Sequence, residues 1–301
     1  MRVALITGAL GFVGRNLTEK LLAKDYKVIA VDCIDPALVQ SKENVEYIQS
    51  DLTSTEAFAS IECKCDIMFH LAWAGVKPEA RDDIQVQKQN IDMCIFAVEL
   101  ARTLSIPRLV FLGSTMEYCY NDSAISASSL PTPYNAYGSV KIATRFIAAE
   151  LCKTYGIDFE YAVVTGIYGP GREDNNVVFY SIKKLLANES PELTACVQKW
   201  DFVHIEDVTE ALFLIGEKGV PGAFYAVGTG ENKTLKEYID VISSIIDNGT
   251  AVKFGSVAYK DGKIATSAID ISSLSADTGY KPKYTFEKGI AEVINYYRSK
   301  K

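Results

Sequence analysis

The segment Val3-Ala4-Leu5-Ile6-Thr7-Gly8-Ala9-Leu10-Gly11-Phe12-Val13-Gly14 constrains this chain more than any other. An apolar, β-branched run meets three spaced glycines and passes directly into a helical pattern from about Phe12 to Lys24. In that context Gly8 permits a tight turn, Gly11 lets the backbone approach a pyrophosphate, and Gly14 allows close helix–strand packing. The phosphates would rest on the positive end of the helix, beside Phe12 and Val13. Asp32 ends the next apolar run, where a carboxylate accepts hydrogen bonds from adenosine ribose hydroxyls and repels a 2′-phosphate. Cys33-Ile34 supplies no arginine for such a phosphate, so the cofactor reading is NAD(H), with NADP(H) disfavoured. The plainer alternative for Asp32 is that it caps the following turn.

The first half continues the alternation. Strands are expected at Val3 to Thr7, Val28 to Val31, Val45 to Ile48, Ile67 to Ala72, Leu109 to Leu112 and Phe159 to Thr165. Helices are expected near Thr55 to Ile61, Ile84 to Leu104 and Val140 to Tyr155. Continuous apolar strands separated by helices imply βαβ units and a parallel sheet covered on both faces. After about Gly166 the pattern is less regular, with Gly/Pro turns at 168–171 and 220–222 and helical stretches near Val177 to Ala187, Thr234 to Ile246 and Glu287 to Arg298. The fold class is therefore α/β: a Rossmann-type doubly wound parallel sheet with a smaller C-terminal α/β region. Residues 1–166 form the dinucleotide-binding domain, and 167–301 are mainly substrate-binding, with some chain returning to the core.

Composition limits the chemistry. His70 and His204 are the only histidines, which argues against a histidine metal centre and leaves few partners for a Ser/His/Asp triad. The seven cysteines are scattered without a C-x-x-C pair, as in reduced cytosolic proteins, and no apolar stretch reaches the roughly 18 residues of a membrane helix. A cytoplasmic location is expected. The net charge of −7 offers nucleic acid and anionic lipid no whole-surface attraction, so phosphate must be held by local devices.

Tyr137-Gly138-Ser139-Val140-Lys141 sets a phenol and an ammonium four residues apart on one helix face. A free tyrosine, with a pKa near 10, is a poor acid/base at neutral pH; a neighbouring cation favours its phenolate. Upstream, Val110 to Thr115 reads as a strand ending in hydroxyls, at the sheet edge where open α/β folds bind ligands. Ser114 is placed to hydrogen-bond a substrate carbonyl or alkoxide beside Tyr137.

TGALGFVG (7–14), HLAW (70–73), Asn90, GSTMEY (113–118), YGSVK (137–141), YGPG (168–171) and DFVHIEDV (201–208) occur in an order that resembles the extended short-chain dehydrogenases/reductases, specifically the nucleotide-sugar branch known as NAD-dependent epimerase/dehydratase. The resemblance implies a catalytic set of Ser114, Tyr137 and Lys141, with Tyr137 and Lys141 also at the nicotinamide ribose. It implies NAD contacts from Gly8, Gly11, Phe12, Val13, Gly14, Asp32, Asp51, Leu52, Leu71, Ala72 and Asn90. It makes His70 and His204 packed rather than catalytic, and it implies a homodimer built on Ile84 to Leu104 and Val140 to Tyr155. Members that dehydrate the sugar carry an Asp-Glu pair after the catalytic hydroxyl; here Thr115 and Met116 stand there, which argues against dehydration. Members that epimerise at C4 carry an asparagine before YGP and an arginine before the aspartate of the DFVH-like segment; here these are Gly166 and Trp200. Lys199, Arg172 or Lys260 are the available cations, and the G-S-x-x-E-Y pattern is similar to nucleotide-sugar 4-ketoreductases. The implied reaction is hydride reduction of a nucleotide-linked 4-keto-(6-deoxy)sugar, with 4-epimerisation on retained NAD as the alternative and a non-catalytic dinucleotide sensor as a third reading. Substrate-pocket candidates are Thr115, Thr165, Tyr168, Arg172, Lys199 and Trp200, the last either stacking on a ligand or packing in the core.

Overall fold

A computed structural model describes residues 1–300 apart from 55–57, 59–60, 62–63, 121–122, 173–175 and 260–263. Seven parallel strands form the main sheet: β1 (Arg2–Thr7), β2 (Tyr26–Asp32), β3 (Val45–Gln49), β4 (Ile67–His70), β5 (Arg108–Ser114), β6 (Asp158–Val164) and β10 (Phe224–Val227). Their order is β10-β6-β5-β4-β1-β2-β3, so the chain reverses direction across the sheet between β1 and β4. Doubly wound sheets bind ligands at that reversal, outside the carboxyl ends of the strands. Both faces are covered because side chains alternate along each strand. Ala4 and Ile6 pack with Leu17 and Leu21 of α1 (Phe12–Leu22) and Leu212 and Ile215 of α5 (Ile205–Lys218). Leu5, Met68 and Phe111 pack instead with Cys94 and Ala97 of α2 (Ile84–Thr103) and Ala148 and Cys152 of α3 (Ala136–Tyr155).

Local sequence sets the helix ends that matter to the site. Asn135 caps α3, its Oδ1 accepting from the Gly138 N–H at 3.1 Å, and Asp83 caps α2 through the N–H groups of Gln85 and Val86. A cap satisfies N–H groups that have no partner within the helix. The cap starts α3 at Ala136, four residues before the expected start at Val140, and so places Tyr137 in the first helical turn. The helix expected at Thr55 to Ile61 lies largely outside the described residues, as does Lys260.

A third core joins α4 (Val177–Leu186), α6 (Leu235–Ile246) and α8 (Phe286–Ser299) through Phe179, Ile182, Ile239, Ile242, Ile290 and Ile294. Short pairs border it: β7 (Gly166–Tyr168) with β9 (Phe202–His204), and β8 (Lys199–Trp200) with β11 (Lys233–Thr234). One further helix, α7 (Ser272–Thr278), packs beside α5 and β10. The chain beyond Gly166 thus contributes both to this core and, through α5 and β10, to the sheet layers.

Candidate active site

The glycine turn lies at the carboxyl end of β1. Gly8 has φ +69°, and a Cβ on Gly14 would sit 2.2 Å from the Gly8 carbonyl oxygen, so this close crossing of turn and helix requires both glycines. Gly11 is the N-cap of α1 and brings no side chain to the first-turn N–H groups. A Cβ there would meet only the Gly8 carbonyl oxygen within 4 Å, at 3.3 Å. The end of α1 is therefore open to an anion, and the residues present fit a dinucleotide pyrophosphate. Arg15 and Arg172 add cations beside it, their guanidinium carbons 5.3 Å and 5.5 Å from the centre of the Phe12 ring. Val13 is partly buried against the adjoining core.

Asp32, at the end of β2, accepts from the Leu10 N–H at 2.9 Å through Oδ2 and from the Ile34 N–H at 3.4 Å through Oδ1. It holds the glycine turn and caps the next one, with its carboxylate at the same sheet edge. Asp51 accepts from Thr53, and Leu52 is buried with φ +61°, both just beyond β3. Across the reversal point the Leu71 N–H donates to the Thr7 carbonyl at 3.0 Å, and the Ala72 backbone crosses Gly8. Asn90 is buried and exchanges hydrogen bonds with the Ala74 backbone, accepting at 2.7 Å and donating at 3.1 Å, which fixes the loop after β4.

Ser114, Tyr137 and Lys141 converge beside that loop. The Ser114 Oγ accepts from the Met116 N–H at 3.2 Å. Burial pushes the Tyr137 phenol up to about 12; the Ser114 hydroxyl hydrogen-bonded to it and the charges of Arg81 and Arg172 pull it down, while Glu117 pushes it up. Lys141 is buried, donates to the Leu112 carbonyl at 2.7 Å, and lies 3.6 Å from the centre of the Trp73 ring and 5.8 Å from that of Tyr137. Burial lowers its ammonium to about 8, against an opposing contribution from Glu117. This cofactor-free arrangement keeps the phenol protonated at neutral pH and the ammonium largely charged.

The substrate candidates divide. Thr165 Oγ1 donates to the Asp201 carbonyl at 2.6 Å, and Tyr168 is buried between His204 and Phe286, so both are engaged within the protein. Thr115 is also buried. Arg172 donates to the Ile167 carbonyl at 2.5 Å, stands over the Phe12 ring, and its charge reaches Tyr137. Lys199 lines a 400 Å³ cleft with Ser123, Gln198, Asn232 and Thr266. Trp200 lines another, of 440 Å³, with Tyr180, Leu193, Cys196 and Leu235. Its ring stacks on Phe202, and its buried Nε1 lies 2.9 Å from where a Cβ on Gly166 would be, so glycine at 166 makes room for this indole. His70 hydrogen-bonds Thr7 Oγ1 at 2.8 Å, and His204 caps α5 and stacks on Tyr284; both are packed residues.

Three neighbours of the site were not anticipated as functional: Trp73, Arg81 and Glu117. Arg81 stands 5.7 Å from the centre of the Tyr137 ring, and its carbonyl accepts from the Tyr137 N–H at 2.9 Å. The S-x-x-E spacing of Ser114 and Glu117 is a capping-box signal visible in sequence; nothing comparable marks Arg81.

Comparison with known proteins agrees with this fold. Curated relatives include a UDP-glucose 4-epimerase of Mycolicibacterium smegmatis, 24% identical with 98% of each chain covered, and a CDP-abequose synthase of Salmonella muenchen, 24% identical with 97% of this chain and 96% of the relative covered. Among solved structures, a UDP-N-acetylglucosamine 4-epimerase from Methanobrevibacter ruminantium M1 superimposes with a TM-score of 0.88 at 24% identity, covering 100% of this chain and 99% of that one. The NAD dependent epimerase/dehydratase family model matches residues 4–228, and with the sheet order and the glycine turn this establishes that the chain belongs to that family.

Proposed function

We propose that this chain reduces the keto group of a nucleotide-linked 4-keto-(6-deoxy)sugar, with NAD(H) as cofactor and Ser114, Tyr137 and Lys141 as the catalytic set. The observation that carries the reading is the convergence of those three side chains at the carboxyl edge of the sheet, next to the open end of α1. Bound in its reduced form, NAD supplies the hydride. Ser114, whose oxygen already accepts from the Met116 N–H, donates its own proton to the substrate oxygen and polarises the carbonyl. Tyr137 donates its proton to the alkoxide as it forms; a phenol held at about 12 is protonated before the reaction, as a proton donor must be. Lys141 keeps positive charge beside the phenolate that remains. Gly8, Gly11, Phe12, Val13, Gly14, Asp32, Leu71, Ala72 and Asn90 are the residues assigned to the cofactor edge, and Arg172, Lys199 and Trp200 those assigned to the substrate side.

Thr115 is buried and Met116 has no proton to transfer, which weighs against dehydration. The second reading is 4-epimerisation on retained NAD, favoured by relatives that are themselves named 4-epimerases. Nicotinamide absorbance with a panel of nucleotide sugars and nucleotide 4-keto sugars separates the readings. Net NADH consumption with a 4-keto sugar is the expected result. Sugar interconversion at constant NADH would establish the epimerase, and tight cofactor binding with no turnover of any panel member would leave the sensor.

A further inference from the structure

We propose that Glu117 is a positioning residue of this site: its carboxylate clamps the backbone of Ser114 and lends a negative charge to the pair formed by buried Lys141 and half-buried Tyr137. The inference rests on the catalytic reading given above. Glu117 is fully buried in the short turn that follows β5. Its Oε1 accepts from the Ser114 N–H at 2.7 Å and from the Tyr161 hydroxyl at 2.9 Å. The Ser114 Oγ in turn accepts from the Met116 N–H, so both the backbone and the hydroxyl of the serine are tied into one turn. The clamp also accounts for Gly113, where a Cβ would stand 2.5 Å from the Tyr161 ring and 2.9 Å from Glu117 Oε1.

The second oxygen, Oε2, is buried without a hydrogen-bond partner. A buried carboxylate with one oxygen unsatisfied is costly, and a purely structural turn would be served as well by a neutral acceptor such as glutamine, which keeps the bonds from the Ser114 N–H and the Tyr161 hydroxyl without burying a charge. The charged and titratable groups acting on it are Lys141 and Arg145 from α3 and Tyr161 from β6, with Tyr118 beside it in the chain and Tyr137 also within its field. Arg145 is itself bound to the Tyr118 hydroxyl at 2.6 Å and lies 5.4 Å from the centre of the Tyr161 ring. Burial raises Glu117 to about 7, against the N–H of Ser114, the cations Lys141 and Arg145, and the Tyr161 hydroxyl. The charge it carries above that pH favours the ammonium of Lys141 and disfavours the phenolate of Tyr137. Glu117 therefore helps keep Tyr137 protonated, the state the reduction requires.

Two variants separate charge from clamp. Glu117→Gln keeps the shape and removes the charge. The ultraviolet tyrosinate signal of Tyr137 is obtained in the NAD⁺ complex as the difference between each protein and its Tyr137→Phe counterpart. In Glu117→Gln its midpoint should fall by about one pH unit; an unmoved or raised midpoint would overturn the role of the charge, and a turn that merely supports the fold would not shift it. Glu117→Asp keeps the charge but draws the carboxylate away from Ser114. It should leave the Tyr137 midpoint near that of the parent and lower kcat for NADH oxidation by about tenfold with the NADH Kd unchanged. Parental kcat in Glu117→Asp would overturn the clamp, and this variant decides the question if Glu117→Gln does not fold. If the parent protein turns over no panel sugar, the proposed reaction fails, whereas the Tyr137 midpoint still decides the role of Glu117.

Discussion

Tyr137 and His70 show how burial assigns chemistry to single residues. Tyr137 is held protonated chiefly because its phenolate would be poorly solvated. His70, 3% exposed, is held neutral for the converse reason: burial first, and the Lys141 charge second, depress it from 6.5 to about 3. The consequence for stability has a definite sign. Below pH 6.5 the unfolded chain takes up a proton that folded His70 refuses, so the stability associated with neutral His70 is present above 6.5 and lost as pH falls toward 3. In urea unfolding, parent and His70→Asn should therefore converge as pH falls, by on the order of 2 kcal/mol between pH 6.5 and 5. A stability difference independent of pH would contradict the assignment. The proximity of Ser114, Tyr137 and Lys141 was legible in sequence because their spacing and strand–helix context are local. Sequence was a poor guide to the burial of Glu117, which depends on Tyr161, 44 residues away in the chain.

At the scale of elements, the strands most legible in sequence are the long apolar runs of the first half, where burial on both faces and β-branched content coincide. The Phe12 helix was equally clear, since glycines announce its start. α3 begins earlier than its apolar periodicity indicates, because the Asn135 cap recruits the Tyr-Gly-Ser turn that periodicity leaves out. α5 and β10 were not anticipated as elements. Phe224–Val227 is only four residues, too short for its period to distinguish strand from buried helix. Its place beside β6 is fixed by register, Phe224 opposite Tyr161 through Val227 opposite Val164, which local sequence does not encode.

At the scale of the molecule, the net charge of −7 coexists with a local concentration of positive groups: the open end of α1 and the flanking Arg15 and Arg172, which we propose hold phosphate. Among the described residues no helix is long and apolar enough to cross a membrane, and no group of ligating side chains could hold a metal ion. We carry forward a homodimer on α2 and α3 as a proposal. Ile84, Ile95 and Phe146 are exposed there, Phe146 at 56%, a combination that favours burial against a second copy. In sedimentation velocity the parent should run as a dimer and Phe146→Glu as a monomer; a monomeric parent would refute it.

The central claim is that one phenol transfers the proton, and Tyr137→Phe tests it most directly. The variant should bind NADH with parental affinity and lose turnover of the nucleotide 4-keto sugar by about 10² to 10⁴. Parental turnover in Tyr137→Phe would contradict the account.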